Sequence, residues 1–81
     1  MKLDVNIRDW YMKNFSTDEL GPSIDPDATF SDLLCALVKG ADVYDVFGVG
    51  DSIVRERCFD KLSNMMGVDY DVVYEMWLLA V

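Results

Sequence analysis

The side chains of this 81-residue chain with chemistry to offer are its carboxylates and a few bases: 15 Asp and Glu against seven Lys and Arg, no histidine, net charge −8. Without histidine the chain lacks the commonest general base at neutral pH and the commonest zinc ligand. Ser16, Ser23, Ser31, Ser52 and Ser63 then have no imidazole to activate them, and Lys39 or Lys61 would need burial to act as a base. Two carboxylates can work as acid and base, but only where a cleft raises one pKa. In a chain this short, burial and the cost of ordering nearly cancel, which leaves nothing to spare for a deep cavity. The expectation is a protein that is not an enzyme, with no metal and no cofactor.

Three local patterns invite ligand chemistry and each has a plainer account. Asp25-Pro26-Asp27-Ala28-Thr29-Phe30-Ser31-Asp32 places oxygens at alternate positions, as a calcium loop does, but lacks the turn glycine and the glutamate at the twelfth place. Gly48-Val49-Gly50-Asp51-Ser52 leads into a helix like a phosphate loop, yet has no lysine, and Asp51 would repel a phosphate. Cys35 and Cys58 lie 23 residues apart, in no metal-binding or redox spacing, each among apolar neighbours as a core residue would be.

The acids fall into three groups: Asp25, Asp27 and Asp32; Asp42, Asp45 and Asp51; Asp69, Asp71 and Glu75. Carboxylates spaced like phosphates can occupy the basic groove of a DNA-handling enzyme. Asp is also a preferred helix N-cap and first-turn residue, and Asp32, Asp42, Asp51 and Asp69 stand at such places. Arg55, Arg57 and Lys61 concentrate three bases within seven residues. Their ordinary role is pairing with neighbouring acids; the functional alternative is an anchor for an acidic partner. A net charge of −8 repels the phosphates of nucleic acid and of anionic membranes, so the partner to expect is a protein, with a basic surface as one option.

The elements that carry these residues are helical. Ile7, Trp10, Tyr11 and Phe15 recur at helical spacing behind Asn6, predicting a helix over 7–15. Gly21-Pro22-Ser23-Ile24-Asp25-Pro26-Asp27 is a loop. Thr29 and Asp32 frame a capping box for a helix over 30–39, with Phe30, Leu33, Leu34, Leu37 and Val38 as its inner stripe and Gly40 as its stop. Asp42 opens a short piece over 43–47, although Val43 to Val49 also alternates briefly as a strand would. A helix over about 52–66 turns Ile53, Val54, Cys58, Phe59, Leu62, Met65 and Met66 inward, and Arg55, Glu56, Arg57, Asp60 and Lys61 outward. Gly67 ends it, and Asp69 opens a last helix over about 70–79 that buries Tyr70, Val73, Tyr74, Trp77 and Leu78. The fold expected is all-α, one domain over 1–81, a compact bundle of four or five short helices. Its main core is expected to hold Trp10, Phe30, Leu33, Leu34, Leu37, Val54, Phe59, Leu62, Val73 and Trp77. No apolar run reaches membrane-spanning length and no secretory signal opens the chain, so a cytoplasmic protein is expected.

The stretch Phe59 to Trp77 looks like a helix-turn-helix: a small residue at Ser63, a turn glycine at Gly67, apolar Val68, then Val73 and Met76. Its second helix presents Asp69, Asp71 and Glu75 and no base, so it would meet a DNA groove unfavourably. The pair reads as a degenerate helix-turn-helix used for packing. The apolar end Met76-Trp77-Leu78-Leu79-Ala80-Val81 is either buried or an adaptable patch for a partner or a second copy.

Asp42-Val43-Tyr44-Asp45-Val46-Phe47-Gly48-Val49-Gly50-Asp51-Ser52-Ile53-Val54-Arg55-Glu56-Arg57, followed by Gly67-Val68-Asp69-Tyr70-Asp71 and Tyr74-Glu75-Met76-Trp77-Leu78, resembles short uncharacterised proteins carried by conjugative transposons and phages of Gram-positive gut bacteria. The resemblance covers most of the chain from Thr29 onward and implies a mobile-element context, where small acidic proteins sometimes inhibit host defence. It brings no activity and no site residue.

The leading expectation is therefore a small acidic interaction module, monomeric or weakly dimeric, that binds another protein through Asp69, Asp71, Glu75, Arg55, Arg57, Trp77 and Leu78. The alternatives are an acidic nucleic-acid mimic that inhibits a DNA-handling enzyme, and a degenerate helix-turn-helix domain.

Overall fold

Four helices begin at a side-chain oxygen that takes an otherwise unpaired backbone N–H. Asn6 accepts from Asp9 N at 2.9 Å and starts α1 (Ile7–Asn14). Thr29 and Asp32 exchange bonds at 3.2 and 2.9 Å, the capping box of α2 (Phe30–Lys39). Asp42 accepts from Tyr44 N for α3 (Val43–Phe47), and Asp51 accepts from Ile53 N for α4 (Ser52–Met66). The last helix, α5, runs Tyr70–Ala80, and a 3₁₀ turn over Gly21–Ser23 lies inside the proline loop. The computed structural model describes residues 3–80, and among them there is no strand, so the chain is an all-α bundle. The brief alternation after Asp42 resolves as helix because its two apolar ends, Val43 and Phe47, stand one turn apart and are both buried.

A hydrogen-bonded seam joins the chain's beginning to the start of α2. Asn6 and Thr29 form an isolated antiparallel bridge. Ile7 N donates to Ala28 O at 2.9 Å, and Phe30 N and Ser31 N donate to Val5 O and Leu3 O at 3.1 and 2.6 Å. The side-chain amide of Asn6 reaches Pro26 O at 2.6 Å.

The core is centred on Tyr11, Phe30, Phe47 and Phe59, with Ile7, Leu33, Val54, Cys58, Leu62 and Val73 fully buried around them. α5 packs on α4 and α2, and α3 bridges α2 and α4. Several expected core positions shift outward. Trp10, Leu34 and Trp77 are half-buried on the rim, because Ile7 and Tyr11 in α1 and Val73 in α5 take the inward positions. Val38 is 71% exposed and Cys35 is exposed. The buried arc of α2 runs through Phe30, Leu33, Leu37 and Ala36, which turns both of those residues toward solvent. Ile53, in the first turn of α4, and Leu78 are likewise exposed rather than inward.

Two buried groups link the core to pH. Burial pushes the Cys58 thiol up to about 12, and burial, followed by the bond to Asp18, pushes the Tyr11 hydroxyl up to about 12. Both folded values exceed unfolded ones near ~8.5 and ~10. Their contribution to stability is therefore complete below pH ~8.5 and is lost as pH rises toward 12. Urea midpoints measured at pH 8, 10 and 11.5 should fall progressively, and Cys58→Ala should flatten the first part of that fall. A midpoint unchanged between pH 8 and 11.5 would contradict this account.

Candidate functional site

The residues singled out in the sequence separate into three places, of which two adjoin. The first is the outer face of α5. Helical spacing brings Asp71, Val72, Glu75, Leu78 and Leu79 onto one side of the helix, opposite Val73, and all five are exposed. Three of them are apolar: Val72 is 45%, Leu78 50% and Leu79 88% exposed. A lone exposed leucine is ordinary, but three large apolar residues along one face of a helix form a stripe with acids beside it. Asp69 is exposed just before the helix.

The second place is the flank of the same helix, where Arg55 meets Trp77. The guanidinium lies 4.4 Å from the centre of the Trp77 ring and 5.9 Å from that of Tyr74. Its Nη1 donates to the Tyr44 hydroxyl at 3.3 Å. The side chain is only 12% exposed, and its one carboxylate neighbour among the described residues is the exposed Glu56, 3.6 Å from Nη2. Tyr70 stacks on Tyr74 with ring centres 6.0 Å apart, and burial raises the pKa of its hydroxyl. Because Tyr74 and Leu78 are one turn apart, this aromatic flank continues into the outer face.

The third place lies away from α5. Arg57 crosses from α4 to α1 and the segment after it, where Nη1 donates to the Tyr11 hydroxyl at 2.7 Å and to the Asp18 carboxylate. Tyr11 in turn donates to the same Asp18 oxygen at 2.7 Å, and Leu20 N donates to its other oxygen at 2.9 Å. These bonds, with Tyr11 the largest, hold the Asp18 carboxyl below the usual carboxylate range. The Arg57 guanidinium also sits 4.2 Å from the Phe15 ring centre. The expectation that Arg55 and Arg57 point into solvent therefore needs correcting, and local pairing holds only for Arg55, which keeps Glu56 at 3.6 Å. Both stack on aromatic rings contributed by other helices, and Arg57 finds its acid 39 residues away.

No protein-family model, curated protein or solved structure matches this chain. The resemblance to mobile-element proteins rests on the residues quoted for it alone, and the surface has to be interpreted from its own chemistry.

Four of the six acids in the other two groups have local roles. Asp25 accepts from Asp27 N at 2.9 Å within the proline loop, and Asp32 belongs to the α2 capping box, which accounts for the calcium-like spacing. Asp42 and Asp51 are N-caps. Among the described residues, no three Cys, Asp or Glu side chains converge as a metal site would require, and no helix is long and apolar enough to cross a membrane. The helix-turn-helix pattern acquires a physical account: Gly67 takes a left-handed conformation, Val68 N donates to Ser63 O at 3.0 Å, and small Ser63 is buried under the turn. What sequence reasoning missed is Tyr44, the hydroxyl partner of Arg55. Nothing in its local pattern announces a contact made 11 residues later.

Proposed function

We propose that this protein is a small non-catalytic interaction module whose outer α5 face binds another protein. The observation that carries this reading is the stripe of Val72, Leu78 and Leu79 exposed beside Asp71 and Glu75. The occupant it fits is an amphipathic helix of a partner, apolar where it meets the leucines and carrying Lys or Arg opposite the two acids. A second copy of the chain fits worse. In a two-fold contact each stripe would bring its own Asp71 and Glu75 to the other, between molecules that each carry −8.

The acidic-mimic reading draws less support, because Asp18, Asp25, Asp32, Asp42 and Asp51 each already bind a backbone N–H of their own turn. A DNA-reading second helix would set Asp71 and Glu75 against phosphates with no base among the exposed residues of that face.

The test is capture from lysate of cells that express the protein, with wild type compared against the Leu78→Asp/Leu79→Asp double variant. Both sites are half or more exposed, so the fold should be retained and its helical spectrum unchanged. A partner held by wild type through high salt, at least tenfold depleted on the variant, and shown with purified components to bind through a basic amphipathic segment is the expected result. Equal retention by both proteins would overturn the proposal.

A further inference from the structure

The molecule contains the same guanidinium arrangement twice, and one copy is incomplete. Around Arg57 stand two rings, Phe15 and Tyr11, with centres 4.2 and 5.6 Å away, a tyrosine hydroxyl at 2.7 Å, and a carboxylate, Asp18, in hydrogen-bond contact. Around Arg55 stand two rings, Trp77 and Tyr74, at 4.4 and 5.9 Å, and a tyrosine hydroxyl, Tyr44, at 3.3 Å. What this second frame lacks is a carboxylate in hydrogen-bond contact. Glu56, the neighbour in sequence, stays 58% exposed with Oε1 at 3.6 Å from Nη2, beyond hydrogen-bond reach. An arginine has five N–H donors. For Arg55 one of them makes a long bond to Tyr44, and the buried Nε has no partner among the described residues.

Buried guanidinium donors are costly to leave unmade, and a planar guanidinium stacked between rings is preset for a carboxylate approaching its edge. Nη2 is the edge that lies toward the exposed Glu56, 3.6 Å away. This frame borders the outer face of α5 through Tyr74 and Leu78, one turn apart.

We propose that Arg55 is the receptor for a single carboxylate side chain carried by the protein that docks on α5. The identity of the carrier rests on the reading of the α5 face given above; the site itself does not. A partner with bases opposite Asp71 and Glu75 and one acid opposite Arg55 would match the charge pattern of this surface in sign, which fixes its direction along the helix. The carboxylate is single because Glu56 and the overall charge of −8 oppose a polyanion.

Acetate is the probe that tests the site without the partner. The full chain is titrated with sodium acetate against sodium chloride at equal ionic strength, following the Arg55 Nε–H and Trp77 indole N–H signals by NMR. Saturable shifts with half-saturation at roughly 10–100 mM are expected, together with none from acetamide. Arg55→Lys keeps the charge but loses the fork and the stacking, and should abolish saturation. Glu56→Gln removes the resident competitor and should tighten acetate binding by about two- to five-fold; this variant decides the matter if Arg55→Lys does not fold. Shifts that never exceed the chloride control, or that persist unchanged in Arg55→Lys, overturn the proposal. Failure of acetate with a positive α5 capture result rejects the carboxylate site alone, and the converse rejects the docking face alone.

Discussion

Phe59→Ala should remove about 3–5 kcal/mol of stability. The ring is fully buried in the middle of α4 and meets Trp77 of α5 edge-on, with centres 6.2 Å apart and planes at 65°. Truncation deletes that aromatic contact and leaves a void between α4 and α5, whose walls are helix backbones joined by one tight turn at Gly67 and so cannot close it fully. A domain of 81 residues commonly has ~4–12 kcal/mol in total, so the variant should be partly or wholly unfolded at 37 °C. Denaturant midpoints check this, with Leu79→Ala as the contrast. At 88% exposed, Leu79 should change stability by less than about 0.5 kcal/mol. A loss below about 1 kcal/mol for Phe59→Ala would mean that α4 and α5 are not packed as described.

The second large effect compares two glycines. Gly48 and Gly67 both end helices with φ near +70 to +80°, at +78° and +70°. An alanine at either must adopt the left-handed region, which costs about 1–2 kcal/mol. Their surroundings differ. A Cβ on Gly67 meets nothing within 4 Å, whereas one on Gly48 lands 3.0 Å from the backbone nitrogen of Asp25. That nitrogen is already committed, donating to Phe47 O at 2.7 Å, and it pins the proline loop onto α3. Gly48→Ala should therefore cost about twice as much as Gly67→Ala, the excess coming from a backbone contact that cannot rotate away. Thermal or urea unfolding of the two variants side by side decides it. Equal losses would show that the loop yields freely.

The helices were legible because their signals are local. Asn6, Thr29 with Asp32, Asp42 and Asp51 each cap a helix within three residues of themselves, and Gly40, Gly48 and Gly67 each stop one. The face a helix buries was less legible. In α2 the periodicity put Val38 on the inner stripe; packing against α3 and α5 buries Ala36 on the other flank instead. Tyr11 and Trp10 are adjacent, and only the contact with Asp18 and Arg57 decides which goes inward. The arginines were the least legible of all. Reading Arg55 and Arg57 as a solvated face follows from their charge, yet their stems and planar heads cover aromatic rings that lie 19 to 46 residues away in sequence. For the α5 face, sequence supplied the acids, Leu78 and, within the apolar end, Leu79, while Val72 emerged from the exposed side of the helix.

The seam between the chain's beginning and the start of α2 has a consequence for how the bundle comes apart. An eight-residue helix such as α1 is too short to persist alone in water. Its first amide is held by Ala28, while the first amides of α2 are held by Val5 and Leu3. The segment leading into each helix thus supplies acceptors to the other's first turn across some 25 residues of chain, so neither should fray from its N-terminal end without releasing the other. α1 and α2 should therefore open as one cooperative unit, and hydrogen exchange should show amide protons at the beginnings of both helices sharing a single, late rate.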